Sequence, residues 1–246
     1  MFESYFPTNF FLFISVNLKT TKEKKIRRST GPKTIDGTRH TTVSEIQCEA
    51  NYPNIRIPCR CGIFGPSESG KSTFIYKLIK FQNLVFSDTF DRIIYCMPNN
   101  TEDSRREYIA ELRSICSNIY IVEGLPNLQD YFIKDNREKK LLILDDLSTQ
   151  VISSRDYQEL MTQGSHHYNV SVVYTSQNYF EKSPKYGKTF HRQLTVKVLF
   201  EDVSDISVMK NVSSQMFESA SYLQRCLEIK KKSFSGDKNH YLVLGT

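Results

Sequence analysis

The residues with the clearest chemistry are Gly65, Pro66, Ser67, Glu68, Ser69, Gly70, Lys71 and Ser72, followed directly by Thr73. Their spacing, Gly-x4-Gly-Lys-Ser/Thr, is that of a loop that cradles phosphates. Gly65 and Gly70 let the backbone turn so that its amides point inward, and a helix starting at Lys71 adds its partial positive charge. Lys71 suits the β- and γ-phosphates of ATP, and the Ser72 hydroxyl suits Mg²⁺. The context agrees, because "CGIF" reads as the strand before the loop and "TFIYKLIK" as the helix after it. A chance Gly/Ser-rich loop has no reason to lie between such neighbours.

A phosphate loop needs an acidic partner to hold the metal, and "KKLLILDDLS" supplies one. Leu141 to Leu144 run into Asp145 and Asp146. A carboxylate at the C-terminal tip of a buried strand lies at the edge where α/β sheets bind ligands. Asp145 is therefore placed to hold the Mg²⁺ shell through water, and Asp146 to polarise an attacking water. Turn-forming aspartates would end a strand in the same way; the loop upstream favours the metal. A third element, "VSVVYTSQ", reads as a buried strand ending in Ser176 and Gln177. In ATPases with a strand added between the loop strand and the acidic strand, a polar residue ends that added strand beside the γ-phosphate. Gln177 is thus the sensor candidate. An arginine-rich lid, as in small-molecule kinases, and an Asn-Lys-x-Asp base-reading motif, as in Ras-like GTPases, are both missing from the sequence.

These residues must be held by an alternation of strands and helices. From about residue 55, "CGIFG", "RIIYCMP", "IYIVEG", "LLILDD", "VSVVYTSQ", "LTVKVLF" and "HYLVLG" are short apolar runs. Helical stretches follow Lys71 and lie near 102–117 and 154–163. Apolar runs without strict alternation fit strands covered on both faces, and their alternation with helices argues for a parallel sheet. The expected class is α/β, a P-loop NTPase of the added-strand type, its mainly parallel central sheet flanked by helices. Residues 1–50 read as an N-terminal extension with a basic linker, and 51–246 as the P-loop domain.

Composition sets wide bounds. The chain has 246 residues, 39% of them hydrophobic and 24% charged, which describes a soluble globular protein. Its 33 basic and 27 acidic residues give a net charge of +6, which permits a nucleic-acid partner without demanding one. Of the six cysteines only Cys59 and Cys61 are close, a poor zinc signature. The start, "MFESYFPTNFFLFISVN", lacks a positive n-region and a small-residue cleavage site. No run reaches the ~18 apolar residues of a membrane span. The expectation is a soluble, intracellular chain with no membrane partner. "KKIRR" in the polar stretch 19–41 fits a nuclear address, a nucleic-acid contact or a solvated linker equally.

Taken together and in order, "GPSESGKSTF", "LLILDDL" and "GSHHYNVSVVYTSQNYF" resemble the viral genome-packaging ATPases of the FtsK–HerA superfamily, and most of all the poxvirus-like branch also found in polinton-type and adintovirus-like elements. The resemblance covers roughly residues 55–246. It implies an oligomeric, ATP-driven ring that hydrolyses ATP at subunit interfaces and moves double-stranded DNA into a preformed capsid. Its partners would be duplex DNA and a capsid or portal component, in the virion or at the assembly site in the nucleus or cytoplasm of the host. It also implies phosphate and magnesium roles for Lys71 and Ser72, the metal aspartate at Asp145, the sensor at Gln177 and a catalytic acid at Asp146. Much of the superfamily has glutamate at that last position.

Two departures from the pattern stand out. Glu68 occupies a position where close relatives carry glycine, which brings a negative charge near the phosphates. The segment where relatives carry an arginine finger reads "TQGSHHYN", with Gln163, His166, His167 and Tyr168. Arg155 and Arg192 are both possible substitutes. Candidates for DNA contact are Lys182, Lys185 and Lys188, interleaved with Tyr179 and Phe180, and a second cluster at Lys230, Lys231 and Lys232. A cellular-type translocase or helicase, and a non-hydrolysing nucleotide-binding capsid adaptor, are the alternative readings.

Overall fold

A computed structural model of the chain describes residues 13–15, 48–49, 54–132, 137–179, 187–200 and 241–245. The described strands are β1 (Phe13–Ser15), β2 (Cys48–Glu49), β3 (Arg60–Phe64), β4 (Arg92–Met97), β5 (Ile119–Glu123), β6 (Lys140–Leu144), β7 (Val170–Ser176), β8 (Val196–Phe200) and β9 (Tyr241–Gly245). They form one sheet in the order β2-β1-β9-β8-β3-β7-β6-β4-β5. From β8 to β5 every neighbouring pair is parallel. The strand carrying Gln177 at its tip, β7, lies between the loop strand β3 and the acidic strand β6, which is the added-strand order. Beyond β8 the sheet changes character. β9 is antiparallel to β8, β1 is parallel to β9, and β2 is antiparallel to β1. Two short strands from within residues 1–50 thus lie at one edge of the sheet, while the basic stretch 19–41 lies outside the described residues.

The helices are α1 (Lys71–Lys80), α2 (Gln82–Val85), α3 (Arg106–Ile115), α4 (Leu128–Phe132), α5 (Ser148–Ser153), α6 (Arg155–Glu159), α7 (Ser165–His167) and α8 (Gly187–Arg192). Strand residues alternate between two cores because successive side chains point to opposite faces. Ile93, Tyr95, Leu141 and Ile143 pack with Phe74, Ile75 and Leu78 of α1 and Ile109 and Leu112 of α3. Ile94, Cys96, Leu142 and Leu144 pack on the other face with Val151, Ile152, Tyr157 and Phe190. Both faces are covered, so the strands read as unbroken apolar runs. Cys59, Cys61, Cys96 and Cys116 are buried free thiols, and burial pushes the Cys59 thiol up to about 12.

The helix expected near 154–163 is interrupted. Leu160–Gly164 forms a π-helical turn between α6 and α7. Gly164 permits it, since a Cβ there would come within 3.1 Å of the Tyr168 ring.

A buried histidine gives the fold a pH dependence. His191 is enclosed by the rings of Phe64, Tyr174, Tyr179 and Phe190, and neither ring nitrogen has a hydrogen-bond partner among the described residues. Burial, reinforced by the charge of buried Lys197, lowers its pKa from 6.5 to about 4. Between those values the unfolded chain binds a proton that the folded chain refuses, so stability falls as pH drops through this window. The loss should reach at most about 3 kcal/mol. His191→Phe should flatten the dependence, read as urea midpoints across the window; an equally steep fall in the variant would assign it to other groups.

Candidate functional site

The phosphate loop is built where β3 ends. Gly65 is closely packed: a Cβ there would lie 2.5 Å from the Phe200 Cβ, so β8 enforces glycine. The Gly65 amide donates to the Ser176 carbonyl at 3.2 Å, tying the loop to the tip of β7. Gly70 has φ +98, which opens the way into α1, and the Phe74 amide donates back to its carbonyl at 2.9 Å. Glu68 also has a positive φ, +62, and is exposed. The left-handed backbone explains why glycine suits this place, and holding a glutamate there costs about 1–2 kcal/mol.

The Lys71 side chain is buried and its ammonium donates to the carbonyls of Gly65 and Pro66, both at 2.7 Å. Burial lowers its pKa, opposed by the charges of Asp146 and Asp145. Loop and acidic strand therefore share one electrostatic site. Ser72 is half-buried at the first turn of α1, where its carbonyl accepts from the Tyr108 hydroxyl of α3 at 2.9 Å; Thr73 beside it is exposed.

Asp145 and Asp146 follow β6 and differ sharply in environment. Asp145 is 1% exposed. Its Oδ1 accepts from the Thr175 hydroxyl at 2.9 Å, and its Oδ2 accepts from the Tyr95 hydroxyl and, at 2.6 Å, from Arg105 Nη1. Asp146 is exposed, has φ +56, and donates its amide to Thr175 Oγ1 at 2.8 Å. Its Oδ2 accepts from Arg105 Nη2 at 2.9 Å. Burial raises the Tyr95 pKa, and Asp145 adds to it, so this phenol is a fixed donor. Burial by itself would lower the Arg105 pKa, but Asp145, Tyr95 and Asp146 outweigh it and raise it.

Gln177 sits immediately past β7 and is exposed. The tip of β7 thus places it next to the strand end whose Ser176 carbonyl holds the phosphate loop. The arginine candidates lie elsewhere: Arg155 pairs with Glu159 at 2.9 Å on the surface of α6, and Arg192 is exposed at the end of α8. Arg105 is the arginine that meets the acidic pair. Gln163, His166 and His167 are exposed, and among the described residues no cluster of histidine, cysteine and carboxylate side chains could hold a metal. Lys188 lies in α8, while Lys182, Lys185, Phe180 and the lysines at 230–232 lie outside the described residues. Tyr179 lies in the loop after β7 but is not free to meet DNA: it is buried edge-on against Phe64 at 4.8 Å. Among the described residues no helix is long and apolar enough to cross a membrane.

Sequence reading missed Arg105, Tyr95, Thr175 and Tyr108. Arg105 and Thr175 had a faint signal. Both follow or end an apolar strand on the C-terminal edge that carries the acidic pair.

Several known proteins are similar to this chain. One is the genome packaging NTPase of Sulfolobus turreted icosahedral virus 2, solved with ATP-gammaS. It is 13% identical with a TM-score of 0.41, over 68% of this chain and 86% of that one. Another is a KaiC-like protein from the hyperthermophilic archaeon Pyrococcus horikoshii, 15% identical with a TM-score of 0.38, over 58% of this chain and 71% of that one. No curated protein matches the chain. The family model described as poxvirus A32 protein matches residues 52–244, which includes the loop, the acidic pair and the sensor strand. With that match and the added-strand sheet order, the chain belongs to the poxvirus A32 protein family, the family of poxvirus genome-packaging ATPases.

Proposed function

We propose that this packaging ATPase hydrolyses ATP with Mg²⁺ at the site between β3 and β6, and that it does so as a homo-oligomeric ring acting on duplex DNA. The observation that carries the reading is the meeting of two elements at the tip of β7: the Gly65 amide is bonded to the Ser176 carbonyl at 3.2 Å and the Asp146 amide to the Thr175 hydroxyl at 2.8 Å. Residues 51–246 are the working domain in this reading, and 1–50 an extension.

The loop Gly65 to Thr73 wraps the phosphates, with the backbone amides that follow Pro66 as the donors, and Lys71 leaves the Gly65 and Pro66 carbonyls to meet the β- and γ-phosphates. The donor set fits a hard cation, since the Ser72 hydroxyl would be an oxygen ligand and the Asp145 carboxylate would hold the cation's water shell, with Thr175 and Tyr95 orienting the carboxylate. Mg²⁺ bound there would neutralise charge on the transferring phosphoryl group. Asp146, more exposed, accepts a proton from the attacking water, and Gln177 reads the γ-phosphate at the strand tip. Duplex DNA is gripped through phosphates, which suits a motor that must pull any sequence. Lys182, Lys185 and Lys188 are the proposed contacts, and a capsid or portal component the docking partner at the viral assembly site.

Lys71→Ala is the direct test. Two charge-assisted hydrogen bonds to phosphate are lost, each worth about 1.5–3 kcal/mol. ATP affinity should fall at least tenfold while the urea midpoint stays near wild type, because Lys71 contacts the loop and not the apolar core. Unchanged binding and turnover would remove the phosphate loop from the reaction. Binding without turnover in the wild-type chain would favour the nucleotide-binding adaptor.

A further inference from the structure

We propose that Arg105 is a positioning residue for the acidic pair, acting within its own chain. It stands directly before α3, and its guanidinium forks across the site, with Nη1 on Asp145 Oδ2 at 2.6 Å and Nη2 on Asp146 Oδ2 at 2.9 Å. Nη1 also lies 3.3 Å from the Tyr95 hydroxyl. One planar cation thus spans two neighbouring carboxylates, an arrangement whose geometry a lysine ammonium does not reproduce.

The fork is held in place from behind. The Arg105 amide donates to the Thr101 and Glu102 carbonyls, and its own carbonyl accepts from the Ile109 amide in the first turn of α3. Amides of Thr101 and Glu102 in turn donate to Glu123 Oε1 at the end of β5. The arginine is therefore anchored to the sheet before it reaches the carboxylates.

Asp146 needs this help. Aspartate is one methylene shorter than glutamate, so its reach is set by the backbone and by whatever fixes its carboxylate. The backbone is set by φ +56 and the bond to Thr175, and one carboxylate oxygen is pinned by Arg105. Oδ1 is then the oxygen aimed at the water. Arg105 also separates the two roles. It offsets the repulsion of adjacent like charges and ties the exposed base to its buried neighbour.

This inference rests on reading Asp145 as the metal carboxylate and Asp146 as the base, and the test separates the two. Arg105→Gln, Arg105→Lys, Asp146→Asn and the double variant Arg105→Gln/Asp146→Asn are compared as full chains. Measurements are turnover, affinity for a fluorescent ATP analogue without Mg²⁺, and the nucleotide-free urea midpoint. Arg105→Gln should lower kcat about 10–100-fold, as loss of an outer-shell partner does, and leave the metal-free affinity unchanged. Arg105→Lys should restore the urea midpoint, because the charge is back, but not the rate, because the fork is not. In the Asp146→Asn background Arg105→Gln should cost clearly less rate than in the wild type, since the base it aligns is gone and only the bond to Asp145 remains to be lost. Wild-type turnover in Arg105→Lys, or penalties that multiply in the double variant, would overturn the inference even if Arg105→Gln failed to fold. Wild-type turnover in Asp146→Asn would instead overturn the reading on which it stands.

Discussion

The dilute, DNA-free chain is expected to turn over ATP about 10³–10⁵-fold more slowly than the chain assembled on duplex DNA, the worth of an arginine finger supplied in trans. The segment ahead of β7 carries no arginine, and its Gln163, His166 and His167 are exposed. Arg105 is already committed to Asp145 and Asp146. Charge on the transferring phosphoryl group must still be offset, and Arg155 and Arg192, both exposed, are the residues a neighbouring subunit would present in the proposed ring. Gln177 would report the γ-phosphate to the lysines that follow it. DNA should raise turnover with little dependence on sequence and a steep decline as salt rises, as the proposed phosphate contacts require. The measurement is ATPase rate against protein concentration, with random duplexes at two salt levels. A rate independent of concentration and unmoved by DNA would reject the ring.

Asp146→Asn should spare nucleotide binding and lower turnover by about 10²–10⁴, the usual cost of removing a general base. The substitution is clean for a structural reason. Asn tolerates the left-handed backbone that Asp146 adopts at φ +56, so the bond from its amide to Thr175 should survive. Lys71 and the loop amides, to which the proposed function assigns the phosphate contacts, are untouched. Asp145→Asn should do the opposite and weaken Mg²⁺-nucleotide binding, because Asp145 lies buried at the centre of the bonds from Thr175, Tyr95 and Arg105. Titrations of binding beside single-turnover rates distinguish the two. The reverse pattern would exchange the metal and base roles.

The phosphate loop, the acidic strand and the sensor strand were legible in the sequence because each is a local pattern. Spacing of glycines decides a turn over eight residues, and an apolar run decides a strand over five. Even the added-strand order was legible, since a buried strand with a polar end after the acidic strand is the pattern of added-strand ATPases, and the structure places β7 between β3 and β6. Tertiary structure decided the rest. Arg105 and Asp145 are 40 positions apart, and the faint signal of following β4 fits Arg106 equally, although Arg106 points away to an exposed Asp103. Only the parallel register of β4 on β6 brings Tyr95 and the start of α3 over the aspartates. The same holds for Tyr179, which lies in a mostly polar stretch of the chain but whose place against Phe64 is set by packing between β3 and α8. Motifs specify which groups do chemistry because those groups meet the ligand through their own turn of backbone. Their partners arrive across the sheet edge, from strands whose adjacency depends on long crossovers, and sequence spacing holds no record of that distance.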